Sequence, residues 1–444
     1  MCNYITFLIV ALALFNTVNA RHKVLLVLVD GCRWDYPDTD STLTGFKTLA
    51  EKGVRAEYVT PIFPSNSYPN WYTIVTGLYA ESHGFVQNMM YDPIHKDFFL
   101  MGPNKTASVP HWWNHAEPIW ITAEKNNLRT SLYWWDGCQV EIKGKKPTFC
   151  VPYKYVGEDW ETVDADTRNA FLEALDKLKS NEVQLVQVYY ESVDHKGHKY
   201  GPDSDERKEA FRSIDRLLYE LQEEITKRGL EDQVNLVVVS DHGMTLVDPR
   251  TTEVINLESV LQPSDIKYMI YQGASCMILP EDGKEVEVYN KIKNYNHPGL
   301  HVYRKEEIPD EYHLKHSYLT LPILLVADKG YFITGLDFPD KSIPGRSTLS
   351  KGGSHGYDPY KVKDMRTIFY ARGPDLKKGY ISPPIENVDH YNLMCHLLGI
   401  KPLPNNGSLE RIEGMFTNSA SYSKSISVQS MVFIVTLIIT LIIT

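Results

Sequence analysis

Three short runs of mostly apolar residues along the chain each predict a buried β-strand. They are Lys23 to Val29 (KVLLVLV), Val183 to Tyr190 (VQLVQVYY) and Val234 to Ser240 (VNLVVVS). A strand that is apolar on both faces belongs in the middle of a parallel sheet that helices cover on both sides. The pattern therefore predicts a parallel sheet that contains these three strands.

A helical repeat of apolar positions runs from Ser204 to Arg228 and stops at Gly229, as expected of a capped amphipathic helix. Its apolar residues recur at steps of three and four: Phe211, Ile214, Leu218, Leu221 and Ile225. Strands that alternate with such helices predict a doubly wound α/β fold. The region from Thr251 to Ile343 is less regular, and we expect an insertion packed against the sheet.

An acidic residue follows each of the three predicted strands. Asp30 follows the first strand, Asp194 the second and Asp241 the third. Because the carboxyl ends of parallel strands meet at one edge of a sheet, these carboxylates are expected to converge there.

Three histidines extend this set of candidate ligands. His198 comes four residues after Asp194, with Gly197 allowing a turn between them, and His242 directly follows Asp241. His355 stands between glycines in GGSHGYD, where the alternative is a simple turn histidine. A mixed Asp/His set of this kind suits zinc, and six ligands suit two ions.

Ser67, in PSNSYPNWYTIVTG, stands where a helix is predicted to begin, with Pro69 in the first turn. A helix N-terminus favours an alkoxide, and a nearby metal ion favours it far more. Ser67 is therefore a candidate nucleophile, and the alternative is a plain N-cap. Asn88, in SHGFVQN, could donate its amide to an anionic oxygen, and the alternative is a loop asparagine.

The composition excludes one class of partner. The 444 residues are 43% hydrophobic and 23% charged, which is ordinary for a globular protein with a large core. The formal net charge of -10 and the lack of a basic stripe argue against a nucleic acid polymer as partner. The oligomeric state stays open.

The cysteines and sequons are typical of an exported protein. Cys138 and Cys150 bracket a short segment and predict a local disulfide. Three further cysteines in apolar surroundings are expected to be buried thiols: Cys32, Cys276 and Cys395. Asn104 and Asn406 begin glycosylation sequons.

Both ends of the chain have the pattern of processing signals. Residues 1–20 contain an apolar run from Tyr4 to Phe15, which predicts a signal peptide cleaved after Ala20. The apolar tail from Met431 is shorter than the about 20 residues of a spanning helix. With the small residues before it, residues 419–444 predict a GPI-attachment propeptide and hence a lipid anchor on the extracellular face of the plasma membrane. The alternative is a single-span anchor.

Five segments together resemble the ectonucleotide pyrophosphatase/phosphodiesterase family of the alkaline phosphatase superfamily: VDGCRWDY, PSNSYPNWYTIVTGLYAESHGFVQNMMYDP, ESVDHKGHKYGP, SDHGMT and HGYD. The resemblance implies a mostly parallel sheet of the alkaline phosphatase type and a phosphodiesterase catalytic domain over residues 21–418. It implies one zinc on Asp194, His198 and His355. It implies a second zinc on Asp30, Asp241 and His242, together with the nucleophile Ser67. Asn88 would bind the phosphoryl oxygens.

Within that family, PHWWNHAEPIWIT, WWDGCQVEIKGKKPTFC, PLPNNGS and the serine nucleophile resemble a GPI-anchored, choline-specific branch. This predicts hydrolysis of glycerophosphocholine and lysophosphatidylcholine to phosphocholine through a phosphoserine, and hence a role in lipid metabolism. Tyr189, Glu191 and Trp160 are the candidates for the choline pocket. The alternative for Tyr189 is a core residue, and for Trp160 a loop anchor.

Two other functions stay open from the sequence. One is a nucleotide pyrophosphatase/phosphodiesterase that uses the same two metals on extracellular nucleotides or dinucleotides. The other is an inactive ectodomain used for binding, against which the complete set of seven motif residues argues.

Overall fold

The computed structural model describes residues 22–155, 160–336 and 348–417. The predicted signal peptide, residues 1–20, and the predicted attachment segment, residues 419–444, lie outside the described residues. No helix in the described ranges is both long enough and apolar enough to cross a membrane.

The strands are numbered in chain order. They are β1 (Lys23–Val29), β2 (Val54–Ala56), β3 (Val59–Thr60), β4 (Met90–Asp92), β5 (Asp97–Phe99), β6 (Thr130–Tyr133), β7 (Phe149–Val151), β8 (Leu185–Tyr190), β9 (Val234–Val239), β10 (Thr245–Val247), β11 (Glu253–Asn256), β12 (Ile266–Ile270), β13 (Ser275–Pro280), β14 (Leu300–Arg304), β15 (Ile323–Ala327), β16 (Tyr331–Thr334), β17 (Gly352–Ser354), β18 (Phe369–Arg372), β19 (Tyr380–Ser382) and β20 (Ile385–Glu386).

The α-helices are numbered in the same way. They are α1 (Gly45–Lys52), α2 (Ser67–Thr76), α3 (Ala80–His83), α4 (Pro110–Trp113), α5 (Ile119–Lys125), α6 (Trp160–Lys179), α7 (Ser192–Tyr200), α8 (Asp205–Lys227), α9 (Glu285–Tyr295), α10 (Asp389–Leu397) and α11 (Leu409–Ile412).

An eight-stranded sheet forms the centre of the molecule, in the order β19-β2-β18-β9-β1-β8-β6-β7. Its pairs are parallel except at β18, which runs antiparallel to both β2 and β9. Helices pack against it, and the main hydrophobic core is made of residues from the sheet and from these helices. The predicted α/β class with a mostly parallel sheet is confirmed.

The three strands predicted from apolar runs are β8, β1 and β9, and they are neighbours in the middle of this sheet. Every residue of the three strands is buried. Their register pairs Val29 with Tyr190 and Leu28 with Val239, so the three carboxyl ends lie almost level. The convergence predicted from the sequence follows from this register.

Helix α8 confirms the helical repeat and begins and ends within one residue of the prediction. The Ser204 hydroxyl caps it by accepting the Arg207 N–H at 3.2 Å. Its buried face packs against α1, α6 and α7.

A second, smaller sheet occupies the region that the sequence pattern described as irregular. Strands β12, β13, β15 and β14 form an antiparallel sheet, and β11 pairs with β16 beside it. This region has its own hydrophobic core. The expectation of irregularity was wrong because its strands are short and lie in an order that local periodicity does not reveal.

The cysteine predictions are confirmed. Cys138 and Cys150 form a disulfide, and Cys32, Cys276 and Cys395 are buried free thiols. The asparagines of both sequons, Asn104 and Asn406, are exposed.

Candidate active site

The six predicted Asp and His ligands form two groups at the carboxyl edge of the central sheet. Asp194, His198 and His355 form one group, and Asp30, Asp241 and His242 form the other. In each group the ligand atoms lie within 4.8 Å of one another. Residues from four separate parts of the chain therefore meet where the sequence analysis placed them.

The first group is held between helix α7 and the end of β17. The Nε2 atom of His198 lies 3.5 Å from Asp194 Oδ2, and His355 Nε2 lies 3.9 Å from Asp194 Oδ1. The two imidazole Nε2 atoms are 3.0 Å apart.

The second group lies at the ends of β1 and β9: Asp30 directly follows β1, and Asp241 and His242 follow β9 after Ser240. His242 Nε2 lies 3.4 Å from Asp30 Oδ1 and 3.4 Å from Asp241 Oδ2. The Ser67 hydroxyl oxygen lies 3.1 Å from the same His242 nitrogen. Ser67 is therefore adjacent to this group, as predicted.

The three imidazoles are oriented in the same way, with Nδ1 on a backbone carbonyl. Nδ1 of His198 contacts the Gly353 carbonyl at 3.0 Å, that of His242 the Gly243 carbonyl at 2.9 Å, and that of His355 the Ser65 carbonyl at 3.1 Å. Since a carbonyl only accepts, these contacts assign the proton to Nδ1 and leave the Nε2 lone pair facing the site. That tautomer is the one a metal ligand requires.

Unpaired carboxylate oxygens and the crowding of negative charge also indicate that the site fits metal ions. Asp30 Oδ1 and Asp194 Oδ1 are buried without a hydrogen-bond partner, although buried carboxylate oxygens are normally paired. Burial raises the pKa of Asp30 well above its ordinary value, and the negative charges of Asp241 and Asp194 raise it further. Burial, with His242 and His198 adding to it, lowers the pKa of His355 well below its ordinary value. Divalent cations would satisfy the unpaired oxygens and offset this crowding of carboxylates.

Asp194 and His198 lie on a helix, which corrects the prediction of a turn between them. They are the third and seventh residues of α7, so a single helical turn brings both side chains to one face. Gly197 faces Met244 instead. A Cβ at Gly197 would lie 3.2 Å from Met244 Cε, and a Cβ at Gly353 would lie 2.5 Å from the Gly197 carbonyl oxygen.

Ser67 is the first residue of α2 and not its N-cap. Asn66 occupies the N-cap position with extended backbone angles. All ten residues of α2 are buried, so the N-terminus of the helix points Ser67 into the interior, where it is 8% exposed. Asn88 stands beside it: its Oδ1 accepts the Tyr68 N–H at 2.9 Å, and its Nδ2 donates to the Tyr271 hydroxyl at 3.2 Å.

One cavity, of about 320 Å³, opens in front of Ser67 and both groups. Two predicted residues, Tyr189 and Glu191, line it. The sequence analysis missed its other aromatic residues: Tyr68, Trp71, Tyr153 and Tyr155. For Tyr153 and Tyr155, the alternating tyrosines of VPYKY after Cys150 could have indicated an aromatic wall.

The carboxylate of Glu191 is fixed at this aromatic wall. The Tyr153 hydroxyl donates to Glu191 Oε2 at 2.5 Å. Burial raises the pKa of Tyr153 above its ordinary value, and the charge on Glu191 raises it further, so this phenol stays protonated. Trp160 is not among the lining residues; its ring lies 6.0 Å from the Lys196 ammonium.

Trp71 and Tyr189 contact both the cavity and the second group. Trp71 Nε1 donates to Asp241 Oδ2 at 2.7 Å, and the Tyr189 hydroxyl donates to Asp30 Oδ2 at 2.6 Å. Tyr189 is thus both a cavity wall and a support for a ligand, a double role that the sequence did not indicate.

A second cavity, of about 380 Å³, lies on the other side of His198 and His355. Its aromatic residues are Tyr271 and Phe332, from the region of the smaller sheet. His198 lines both cavities, and Asn88 bonds to Tyr271 in the wall of the second one.

Comparisons with known proteins agree with this geometry. A family model described as type I phosphodiesterase/nucleotide pyrophosphatase matches residues 24–358. Human ectonucleotide pyrophosphatase/phosphodiesterase family member 7 is 36% identical over 410 residues, covering 90% of this chain and 85% of that protein. Human bis(5'-adenosyl)-triphosphatase is 35% identical over 388 residues, covering 87% and 80%.

A solved structure is also similar over most of the chain. It is murine ectonucleotide pyrophosphatase/phosphodiesterase 5, an inactive variant in complex with AMP. It has a TM-score of 0.78 and 34% identity, and the match covers 89% of this chain and 100% of that one.

A mostly parallel α/β sheet with paired Asp/His groups beside a buried serine defines a metallohydrolase. The chain belongs to the type I phosphodiesterase/nucleotide pyrophosphatase family. It is a hydrolase of the phosphodiesterase/pyrophosphatase type, and its similarity to ectonucleotide members of the family favours the secretory pathway.

Proposed function

We propose that this enzyme hydrolyses choline phosphodiesters, such as glycerophosphocholine and lysophosphatidylcholine, and releases phosphocholine. The observation that carries the proposal is the aromatic cavity in front of Ser67, with the Glu191 carboxylate in its wall. The sequence resemblance to the GPI-anchored choline-specific glycerophosphodiester phosphodiesterase supports it.

The cavity suits a quaternary ammonium group for electrostatic reasons. A cation over a tyrosine or tryptophan face gains roughly 0.5–2 kcal/mol, more when water is excluded. The aromatic residues that line the cavity include Tyr153, Tyr155, Tyr189 and Trp71. Glu191 adds a negative charge, which attracts choline and repels the phosphate chain of a nucleotide.

The two Asp/His groups and Ser67 supply the hydrolytic chemistry in this proposal. Two zinc ions, held by Asp194, His198 and His355 and by Asp30, Asp241, His242 and Ser67, would polarise the phosphoryl oxygens and lower the pKa of the Ser67 hydroxyl.

The steps at the residues of the chain follow a covalent route. The Ser67 oxygen forms a bond to phosphorus, while the bond from phosphorus to the glycerol oxygen breaks and the alcohol leaves with a proton. Asn88 donates its amide to a phosphoryl oxygen, and the N-terminus of α2 favours the negative charge there. Water then cleaves the bond between Ser67 and phosphorus and releases phosphocholine.

The second candidate is hydrolysis of nucleotides or dinucleotides. It is favoured by the names of two similar proteins: one is a bis(5'-adenosyl)-triphosphatase, and the other was solved with AMP. An aromatic wall could also stack a base, so the charge of Glu191 is what separates the two candidates. A purely binding ectodomain is disfavoured because the ligand set and the serine are complete.

A side-by-side assay tests the choice. We expect a higher kcat/KM for phosphocholine release from glycerophosphocholine than for any product from a nucleoside diphosphate or a dinucleotide. Efficient nucleotide cleavage with glycerophosphocholine untouched would transfer the assignment to the second candidate. Failure of both, and of a nitrophenyl phosphodiester, would favour the binding ectodomain.

We also propose that the enzyme acts at the cell surface through a GPI anchor attached after removal of residues 419–444. The support is the apolar, uncharged tail from Met431 and the exposed sequon asparagines, Asn104 and Asn406. Phosphatidylinositol-specific phospholipase C should release the protein from cells. Retention on the membrane with the tail still detectable would instead establish a spanning anchor.

A further inference from the structure

A second set of histidines and aspartates lies around the hairpin of β4 and β5, outside the active site. Asp92 ends β4, Asp97 begins β5, and His95 stands in the turn between them. His111 lies on α4, which packs beside the hairpin. We call these four residues the hairpin cluster.

The distances within the hairpin cluster suit a single metal ion. Asp92 Oδ2 lies 2.7 Å from His95 Nδ1 and 3.8 Å from His111 Nε2, and Asp97 Oδ1 lies 3.4 Å from His111 Nε2. Ligand atoms around a tetrahedral zinc with bonds of about 2.0 Å are about 3.3 Å apart. One ligand atom each of Asp92, His95 and His111 lie within 4.8 Å of one another, so a small inward shift would bring these three to bonding distance, with Asp97 beside His111 as the fourth.

The charges of the hairpin cluster call for a cation. Asp92 and Asp97 are paired directly across the hairpin, where like charges are destabilising. The Asp92 side chain is 0% exposed. Within the described ranges, the salt-bridge partners of both carboxylates are imidazoles, and no Lys or Arg side chain is paired with either.

Unpaired atoms give an independent indication. His111 Nε2 and Asp97 Oδ1 are both buried and have no hydrogen-bond partner, although they face each other. A buried polar atom without a partner costs about 1–3 kcal/mol. One ion between these atoms would satisfy both.

Neighbouring groups hold the Asp92 carboxylate in place, as is usual around a metal ligand. Its Oδ1 accepts the backbone N–H groups of Ile94 and His95 at 2.7 and 3.1 Å. The Tyr318 hydroxyl donates to its Oδ2 at 3.0 Å, and His115 lies behind that hydroxyl at 3.4 Å.

We propose that Asp92, His95, Asp97 and His111 bind a structural zinc ion, separate from the two groups of the active site. Two imidazoles and two carboxylates form a closed, four-ligand set of the kind zinc prefers. The ion would tie the hairpin to α4. Asn88 lies two residues before β4, and the cavity residues Met101 and Gly102 follow closely after β5, so this ion would stiffen one wall of the active site.

Zinc content tests the proposal without reference to activity. The purified protein is dialysed to equilibrium against buffered free zinc, and metal per chain is measured by mass spectrometry. We expect the His95→Gln/His111→Gln double variant to contain one zinc fewer per chain than the wild type. His301→Gln is the matched control, because His301 pairs with the single carboxylate of Asp328 at 3.0 Å and should lose none.

Two further measurements test the zinc site even if the double variant does not fold. Asp97→Asn, which retains both imidazoles, should release one zinc at a roughly 10–100-fold lower chelator concentration than the wild type. Diffraction at the zinc absorption edge should show an anomalous peak between Asp92 and His111. Equal zinc content in the wild type and a folded double variant would overturn the proposal. So would unchanged retention in Asp97→Asn if the double variant does not fold.

Discussion

The two halves of the active site are held in different ways. On the metal side, Asp30 and Asp241 follow the central strands directly, and the three imidazoles are fixed by backbone carbonyls. On the cavity side, Tyr153 and Tyr155 stand on a segment without regular structure after β7. The comparison teaches that the candidate catalytic residues are held by the sheet and by backbone carbonyls, whereas part of the proposed recognition wall lies on a segment that can change without disturbing the sheet.

The largest expected effect is a loss of turnover when the candidate nucleophile on the metal side is removed. Ser67→Ala removes the attacking oxygen and should lower kcat by at least about a thousandfold, with the fold and bound zinc largely retained. Steady-state turnover and circular dichroism check this. Ser65→Ala is the control, because it removes a neighbouring buried hydroxyl that donates to the Tyr357 carbonyl. A Ser67→Ala enzyme at wild-type rate would exclude the covalent route.

Metal removal should abolish activity while leaving the aromatic cavity in place. A chelator takes away the proposed ions at the two Asp/His groups, and added zinc should restore turnover. Activity and elemental analysis follow the cycle together. Full activity in a preparation with far fewer than two metal ions per chain would contradict a two-metal site.

Tyr189→Phe tests how the metal side and the cavity side are connected, because Tyr189 lines the cavity and also donates to Asp30. Loss of its hydroxyl leaves Asp30 Oδ2 without its donor, and removal of such a support typically costs 10–100-fold in metal affinity or activity. We expect a fall of that order in kcat for every substrate. Tyr190→Phe is the matched control, since its hydroxyl bonds to Asp164 at 2.6 Å, away from the site. Similar losses in both variants would assign the effect to general destabilisation.

The smallest expected effect lies wholly on the cavity side. Glu191→Gln should lower the preference for glycerophosphocholine over a nucleotide about tenfold, which corresponds to about 1.4 kcal/mol. The ratio of kcat/KM for the two substrates measures it. Glu307→Gln is the control. Glu307 also accepts a tyrosine hydroxyl, from Tyr289, but it lies in a short 3-10 helix after β14, so its change should leave the ratio unchanged. An unchanged ratio in Glu191→Gln would remove this carboxylate from choline recognition.

The metal side was predictable from the sequence, and the cavity side largely was not. A buried parallel strand has a continuous apolar run as its sequence pattern. The end of that run predicts the carboxyl end of the strand, so a carboxylate that follows it is expected at the edge of the sheet where sites form. Asp30 and Asp241 were therefore found at once. Asp194 and His198 were found for a partly wrong reason, since a spacing of four residues suits a helix as well as a turn.

Tyr153, Tyr155 and Trp71 were missed because an aromatic residue in a loop or a buried helix has the same local pattern whether it lines a cavity or fills the core. Only the tertiary packing of the segment after Cys150 against the ends of β1 and β8 separates the two cases. The smaller sheet was missed for a related reason: its strand pairs are set by chain connections, which leave no periodic signal.

The position of β18 has a consequence for how the protein folds while it is being synthesised. Strand β18 lies between β2 and β9, and its Tyr370 pairs with Arg55 near the start of the chain. During synthesis β9 therefore has an open edge until the last strands leave the ribosome, and β2 has neither of its neighbours. A sheet assembled from such distant parts closes slowly, and its exposed edges invite wrong pairing in the meantime. His355 is also synthesised late, so a chain that stalled before it would have an open sheet and an incomplete Asp194–His198–His355 group.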